Sequence, residues 1–201
     1  MYNLDSPHLR AQQGRRGRYF LGIFPPPEVR RAIGNEAARL KHKYPKITLV
    51  PEKQLHITLF FLGSQKQTDV ARLIEEAKRE LNLAKLDLQL GGINYLYKRR
   101  GDSVVYLNIE EGGDNLKELV KRWRPIVEKI DYTAPRRWLG HLTLARVKKL
   151  GPDETRRVLF DLGKEEVKKI TPFEVKAVSL VENQQMRSGA DYRLVDEVSL
   201  I

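Results

Sequence analysis

The sequence predicts an α+β fold made of two related lobes, with two antiparallel sheets flanked by helices around a central groove. The first observation is a motif that occurs twice, as His56-Ile57-Thr58-Leu59 and as His141-Leu142-Thr143-Leu144. The second is that apolar, β-branched and aromatic residues surround both copies, which is typical of strands. The third is that similar segments flank both copies at a constant spacing, as expected of an internal repeat.

The repeat has an offset of 85 residues, which is the distance from His56 to His141. This offset aligns the apolar run at Tyr19–Ile23 with the run at 104–108. It also aligns a helical stretch near Glu28 with one near Gly113, and helix starts at Thr68 and Asp153. Each half is therefore predicted to contain a strand, a helix, the His strand, a second helix and a further strand.

The chain begins with a polar segment, residues 1–17, which has several arginines and no periodicity. We interpret it as a flexible basic arm in front of a single bilobal domain at 18–201. The first strand, 18–24, ends at three prolines. Pro27 suits the first position of a helix, where no N–H is needed. That helix carries an apolar stripe and stops at Tyr44-Pro45.

The other elements follow from apolar spacing and from glycine or proline breaks. Pro125 predicts a kink or break in the third helix. Residues 188–191 predict a hairpin turn. Helices are predicted at 69–81, 114–130 and 153–162, and strands at 86–90, 93–97, 104–109, 173–181 and 192–198.

Composition narrows the classes of protein and partner. The net charge is +11, which favours a polyanion such as RNA, although a merely soluble basic surface would also explain it. Cysteine is absent, so disulfides and thiolate metal sites are excluded. No apolar run approaches the ~18 residues of a membrane helix. With no signal peptide at the start, we expect a cytoplasmic protein without a membrane partner.

The two motifs are suited to acid–base chemistry on a phosphodiester. Residues i and i+2 of a strand share a face, so each copy sets an imidazole beside a hydroxyl. Near neutral pH, one imidazole can take a proton from water while the other gives one to a leaving oxygen. The hydroxyls of Thr58 and Thr143 can donate to phosphate oxygens. A strained 2′,3′-cyclic phosphate would be a suitable substrate.

Other roles for the histidines are weaker. A lone strand histidine is usually structural, but a repeated one is not expected to be. A metal site needs three or four ligands, and no carboxylate lies near either motif at ligand spacing, so we expect neither a metal nor a cofactor. His8 in the arm and His42 between two lysines are expected at the surface.

The paired motifs, with Phe61-Leu62-Gly63 after the first and Ala145-Arg146 after the second, resemble the two-histidine phosphoesterase superfamily. Within it the chain is similar to the RNA 2′,3′-cyclic phosphodiesterases, also called 2′-5′ RNA ligase-like proteins. The resemblance covers about residues 18–198. It implies metal-independent conversion of RNA 2′,3′-cyclic phosphate ends, including those of tRNA fragments, to 2′-phosphomonoesters. Alternatives are an RNA-end-binding protein without turnover, and a reversible 2′-5′ RNA ligase that acts on tRNA halves.

The resemblance also implies roles for single residues. His56 and His141 would be catalytic, and Thr58, Thr143 and Arg146 would bind phosphate. Arg146 lies five residues after His141, so strict alternation turns it away from the groove unless the strand ends or bulges. Phe61, at the matching position of the first motif, has two interpretations: stacking on a base or packing in the core.

We further expect His141 to be the general base and His56 the general acid. This direction depends on the resemblance and on Arg146, because a cation beside His141 would favour the neutral imidazole that a base requires. His56 has no comparable cation in its own motif. The oligomeric state is left open.

Overall fold

The computed structural model describes residues 15–130, 132, 138–148, 150–168, 170–186 and 189–201. Its described part contains both helices and antiparallel strands, which confirms the predicted α+β class. The helices are α1 (Pro27–Lys43), α2 (Gln67–Glu80), α3 (Gly113–Val127) and α4 (Pro152–Leu162). The strands are β1 (Arg16–Ile23), β2 (Ile47–Leu49), β3 (Ile57–Lys66), β4 (Leu86–Leu96), β5 (Ser103–Glu111), β6 (His141–Val147), β7 (Phe173–Val175), β8 (Ala177–Met186) and β9 (Gly189–Ser199).

The strands are arranged symmetrically about β3 and β6, the two strands of the His-x-Thr motifs. Their order is β7-β4-β5-β6-β3-β1-β8-β9, with β2 paired to β6. The contact between β3 and β6 is narrow, since one register pair, Ile57 with Leu142, joins them. We call this contact the seam. The two predicted sheets therefore meet at the seam and continue as one.

The helices confirm the repeat. α1 begins at Pro27 and α3 at Gly113, 86 residues later. α2 begins at Gln67 and α4 at Pro152, 85 residues later. Because the starts of the helices and of the seam strands all recur within one residue of the predicted offset, the structure consists of two versions of one unit that meet edge to edge.

Apolar stripes fix the helices against the sheet. In α1 the predicted stripe is buried, and Pro27 occupies the first turn as expected. α3 buries the ring of Trp123, which is fully enclosed. Of the predicted kink or break at Pro125, the break is wrong, because α3 continues through it to Val127. A proline this close to a helix end removes only one of the last hydrogen bonds. No helix in the described ranges is both long and apolar enough to cross a bilayer.

Several predicted boundaries are corrected. Segments 86–90 and 93–97 form the single strand β4, with a register shift between Gly91 and Ile93. Gly92 has φ of 57° there, a conformation that glycine adopts at little cost. Segment 173–181 is instead divided, because β7 pairs with β4 while β8 pairs with β1.

The predicted end of the arm and the predicted hairpin turn also differ from the observed boundaries. β1 already begins at Arg16, which pairs with Lys66, so the last two residues of the proposed arm belong to the sheet. Residues 1–14 of that arm lie outside the described residues. In the predicted hairpin turn, Gly189 and Asp191 belong to β9 and pair with β8, whereas residue 188 lies outside the described part.

Candidate active site

The seam brings the two motifs together. His56 directly precedes β3, and His141 is the first residue of β6. Ile57 pairs with Leu142, so the antiparallel register sets His56 opposite Thr143 and Thr58 opposite His141. These four side chains belong to one face of the seam, which we call the open face, because Ile57 and Leu142 are buried on the other side.

Both imidazoles are held through the same nitrogen. His56 Nδ1 donates to the Gln54 carbonyl oxygen at 2.7 Å, and His141 Nδ1 donates to the Leu139 carbonyl oxygen at 2.8 Å. In each case the acceptor is the carbonyl two residues earlier. A carbonyl can only accept, so Nδ1 carries the hydrogen and Nε2 is left to accept or release a proton. The duplication therefore extends to the hydrogen bonds that orient the rings.

The hydrogen bond between Thr58 and His56 is consistent with a neutral His56 ring. Its hydroxyl lies 3.0 Å from His56 Nε2. With Nδ1 acting as donor, the neutral ring accepts at Nε2 and the Thr58 hydroxyl donates. No corresponding bond joins Thr143 to His141 in the structure. The two halves thus share a framework but differ in how their hydroxyls are used before a substrate binds.

Both motifs are followed by a β-bulge. On β3, Thr58 pairs with Gly22 and Phe60 with Leu21, so Leu59 is the extra residue. On β6, Thr143 pairs with Tyr106 and Ala145 with Val105, so Leu144 is the extra residue. A bulge turns the following side chains by one position. The duplication therefore includes a feature that strict strand alternation does not predict.

The bulges redirect the residues that follow each motif. Leu144 and Ala145 are both buried, and Arg146 is exposed. The bulge that Arg146 needs in order to return to the open face is thus present. Phe61 lies in the same position after the first bulge and is 69% exposed, so the core-packing interpretation is wrong.

His56 is enclosed by aromatic rings that the sequence analysis did not assign to the site. The Phe20 ring lies 4.7 Å from it, centroid to centroid, and the Phe24 ring is stacked at 5.4 Å. The Tyr192 ring meets it edge-on at 5.3 Å. Around His141 the structure gives one such neighbour, Tyr106 at 5.0 Å. The alternation of β1 could have indicated Phe20, but Tyr192 comes from a distant strand.

These surroundings set the charge of His56. Burial lowers its pKa to about 4, the Gln54 hydrogen bond opposes this effect, and the positive charges of His141 and Arg146 lower it further. Arg146 therefore acts on His56 across the seam. His56 has no cation in its own motif, as expected, but the structure brings it within reach of the cation of the second motif.

Trp138 connects the two lobes at the same place. Its Nε1–H donates to the Thr58 carbonyl oxygen at 3.1 Å. Gly140 allows the approach, since an added Cβ there would lie 2.7 Å from Trp138 Cη2. A residue of the second lobe thus holds the first motif in place.

The remaining histidines are His8 and His42. His42 is exposed on α1, and His8 lies outside the described residues. Among the residues that the structure describes, no three His, Asp or Glu side chains are grouped as metal ligands would be.

A family model described as the 2′-5′ RNA ligase superfamily matches residues 25–187. The chain belongs to the 2′-5′ RNA ligase superfamily. Two curated members are named RNA 2′,3′-cyclic phosphodiesterase. The one from Thermotoga maritima is 24% identical over 146 residues, or 72% of this chain and 77% of that protein. The one from Methanocaldococcus jannaschii is 25% identical over 180 residues, or 90% of this chain and 99% of that protein.

Solved structures share the fold. Escherichia coli LigT complexed with 3′-AMP has a TM-score of 0.72 at 20% identity, over 92% of this chain and 99% of that one. TT0787 of Thermus thermophilus has a TM-score of 0.70 at 26% identity, over 91% and 97% of the two chains. The bilobal arrangement is therefore that of known proteins over nearly its whole length.

Proposed function

We propose that this protein is a metal-independent RNA 2′,3′-cyclic phosphodiesterase that uses His56 and His141 as an acid–base pair. The observation that carries the proposal is the matching pair of Nδ1–carbonyl bonds, which makes Nε2 of each ring the nitrogen that can exchange a proton. The names of the two curated relatives support the same activity.

The proposed reaction needs two proton transfers. One imidazole takes a proton from water, and the water oxygen forms a bond to phosphorus. The bond between phosphorus and the 3′ oxygen breaks, and the second imidazole gives that oxygen a proton. The product is a 2′-phosphomonoester with a free 3′ hydroxyl. Each step is a transfer for which a positioned imidazole is suited near neutral pH.

We assign His56 as the base, which reverses the direction expected from the sequence. Its lowered pKa keeps the ring neutral in the unliganded protein, and the base must be neutral to accept a proton. In the structure the Thr58 hydroxyl donates to Nε2 of this neutral ring, so in the proposed reaction it must turn to the phosphate and leave Nε2 open to water. His141, on the other side of the seam, then protonates the 3′ oxygen.

Three further side chains would hold the substrate. Thr58 and Thr143 would donate to non-bridging phosphate oxygens, and Arg146 would supply a positive charge. Phe61 presents a large exposed ring on the same side, where a nucleobase could stack. The first lobe thus offers an aromatic surface and the second a cation at equivalent positions.

The activity can be tested with a nucleoside 2′,3′-cyclic phosphate in the presence of EDTA. Formation of the 2′-monoester is expected. His56→Ala and His141→Ala should each lower the rate by roughly 10²–10⁴-fold, the usual contribution of an acid–base group. His42→Ala is the matched control, because His42 is exposed on α1. An absence of monoester, or full activity in both seam variants, would overturn the proposal.

The direction of proton transfer needs a second substrate. An activated aryl phosphodiester has a leaving group that departs without a proton. On this substrate His141→Ala should regain much of its activity, whereas His56→Ala should remain impaired. The opposite pattern would restore the original assignment, with His141 as the base.

The superfamily name favours a second candidate activity, reversible 2′-5′ ligation of RNA. In that reaction a 5′ hydroxyl replaces water, attacks the cyclic phosphate and displaces the 3′ oxygen, so the same residues serve. Adding an RNA half, such as a tRNA half with a free 5′ hydroxyl, to the assay would reveal joined product. Retention of the cyclic end on the protein without either product would indicate an RNA-end-binding role.

A further inference from the structure

Tyr192 reaches the open face from the edge of the sheet. It lies on β9, where its backbone pairs with Asn183 of β8. Its ring contacts Phe20 at 5.1 Å and an interplanar angle of 65°, and His56 at 5.3 Å and 84°. β9 is separated from β3 by two strands, so the side chain extends inward to meet the first motif.

The Tyr192 hydroxyl is influenced by the positive charge of Arg146 and keeps its proton. Burial raises the pKa of this phenol, and the positive charge of Arg146 partly offsets the rise. The phenol therefore stays a hydrogen-bond donor at neutral pH and lies within electrostatic reach of Arg146. The ring also contacts His56, so the phenol lies beside a proposed catalytic group.

Among the described residues, the structure shows no hydrogen bond from the Tyr192 hydroxyl. Tyr44 provides a contrast, since its hydroxyl donates to Glu165 Oε1 at 2.6 Å. A phenol hydroxyl that makes no hydrogen bond within the described protein can still donate one to a ligand.

We infer that the Tyr192 hydroxyl donates a hydrogen bond to a non-bridging oxygen of the reacting phosphate. The inference rests on the proposed function and adds a donor from a third strand to those of β3 and β6. Arg146 and Tyr192 would then approach the phosphate from the two lobes, a cation from one and a neutral donor from the other. The donor would also stabilise the extra negative charge that develops on these oxygens during attack.

Tyr192→Phe tests this role, because it removes the hydroxyl and keeps the ring against His56. We expect kcat/KM on a nucleoside 2′,3′-cyclic phosphate to fall about 10- to 100-fold, as for loss of one hydrogen bond to a charged group. Inorganic phosphate should also inhibit the variant less strongly than the wild type. Tyr97→Phe is the control, since its ring lies beside Arg156 on α4.

The outcomes separate this inference from the proposed function. An inactive wild-type protein would overturn both. An active wild type with Tyr192→Phe within about twofold in kcat/KM, well below the loss expected for a bond to phosphate, would overturn the inference alone. So would a loss of kcat/KM without weaker phosphate inhibition, because Tyr192 would then act through the packing of His56.

Discussion

Acid should destabilise this protein through His56. The pKa of its imidazole is lowered from 6.5 to about 4 in the folded state, chiefly by burial. Between these two values the unfolded chain binds a proton more readily than the folded one. The free energy of unfolding therefore falls as pH decreases from 6.5 towards 4, and above 6.5 the group has no effect.

The size of the effect follows from the pKa of about 4. Each pKa unit corresponds to about 1.4 kcal/mol, so the full difference is about 3 kcal/mol. At pH 5 the loss in the free energy of unfolding is about 2 kcal/mol, because the imidazole is then almost fully protonated in the unfolded chain but still mostly neutral in the folded protein. A change of this size is a large part of the total stability of a typical domain.

The assay is urea unfolding of the wild type and of His56→Gln at pH 7.5 and pH 5. Glutamine does not titrate, so the variant should lose about 2 kcal/mol less stability between the two pH values. Comparing the two losses cancels the titrating groups that do not interact with His56, and it also cancels any constant cost of the substitution. His42→Gln, at an exposed position, should behave as the wild type. Equal losses in wild type and His56→Gln would refute the argument that burial holds this ring neutral.

Three other predictions address the site. Thr58→Ala and Thr143→Ala should each lower kcat/KM by a factor that corresponds to about 1.5–3 kcal/mol, which is a smaller loss than either histidine variant shows. A threonine variant as inactive as His56→Ala would contradict the role of the hydroxyls as phosphate donors. Gly140→Ala should lower the free energy of unfolding by about 1–3 kcal/mol in urea titrations, because the new Cβ would lie 2.7 Å from Trp138 Cη2. RNA binding should weaken steeply as the salt concentration rises, because the exposed Lys98, Arg99 and Arg100 would add phosphate contacts. Arg136 and Arg137, which would add further contacts, lie outside the described residues. Binding that does not depend on salt would contradict this prediction.

The repeat could be predicted from the sequence, because apolar periodicity is a property of neighbouring residues in the chain. The offset from His56 to His141 predicted where the second helix of each lobe begins, and α2 and α4 begin 85 residues apart. Apolar stripes locate helices well because each stripe must be buried against something. They do not say which strand lies beside which. The seam between β3 and β6 therefore came only from the structure.

The surroundings of His56 show why the site was only partly predictable. Tyr192 is far from His56 in the chain, and its contact depends on the order of four strands. Arg146 belongs to the second motif yet lowers the pKa of the first histidine. A cation's effect depends on distance in space, so assigning Arg146 to its own strand's histidine left out its effect on His56. Motifs indicate candidate reacting residues, but the protonation states of these residues depend on tertiary neighbours.

The paired bulges also explain how a duplicated unit forms an asymmetric site. Leu59 and Leu144 are extra residues at matching places, so Phe61 and Arg146 turn to the same face by the same local geometry. Only the side chains differ, one aromatic and one cationic. An RNA end has a similar asymmetry, because a base lies to one side of its phosphate. The shared backbone would fix the phosphate between the histidines, and the difference at this single pair of positions would orient the nucleotide across the seam.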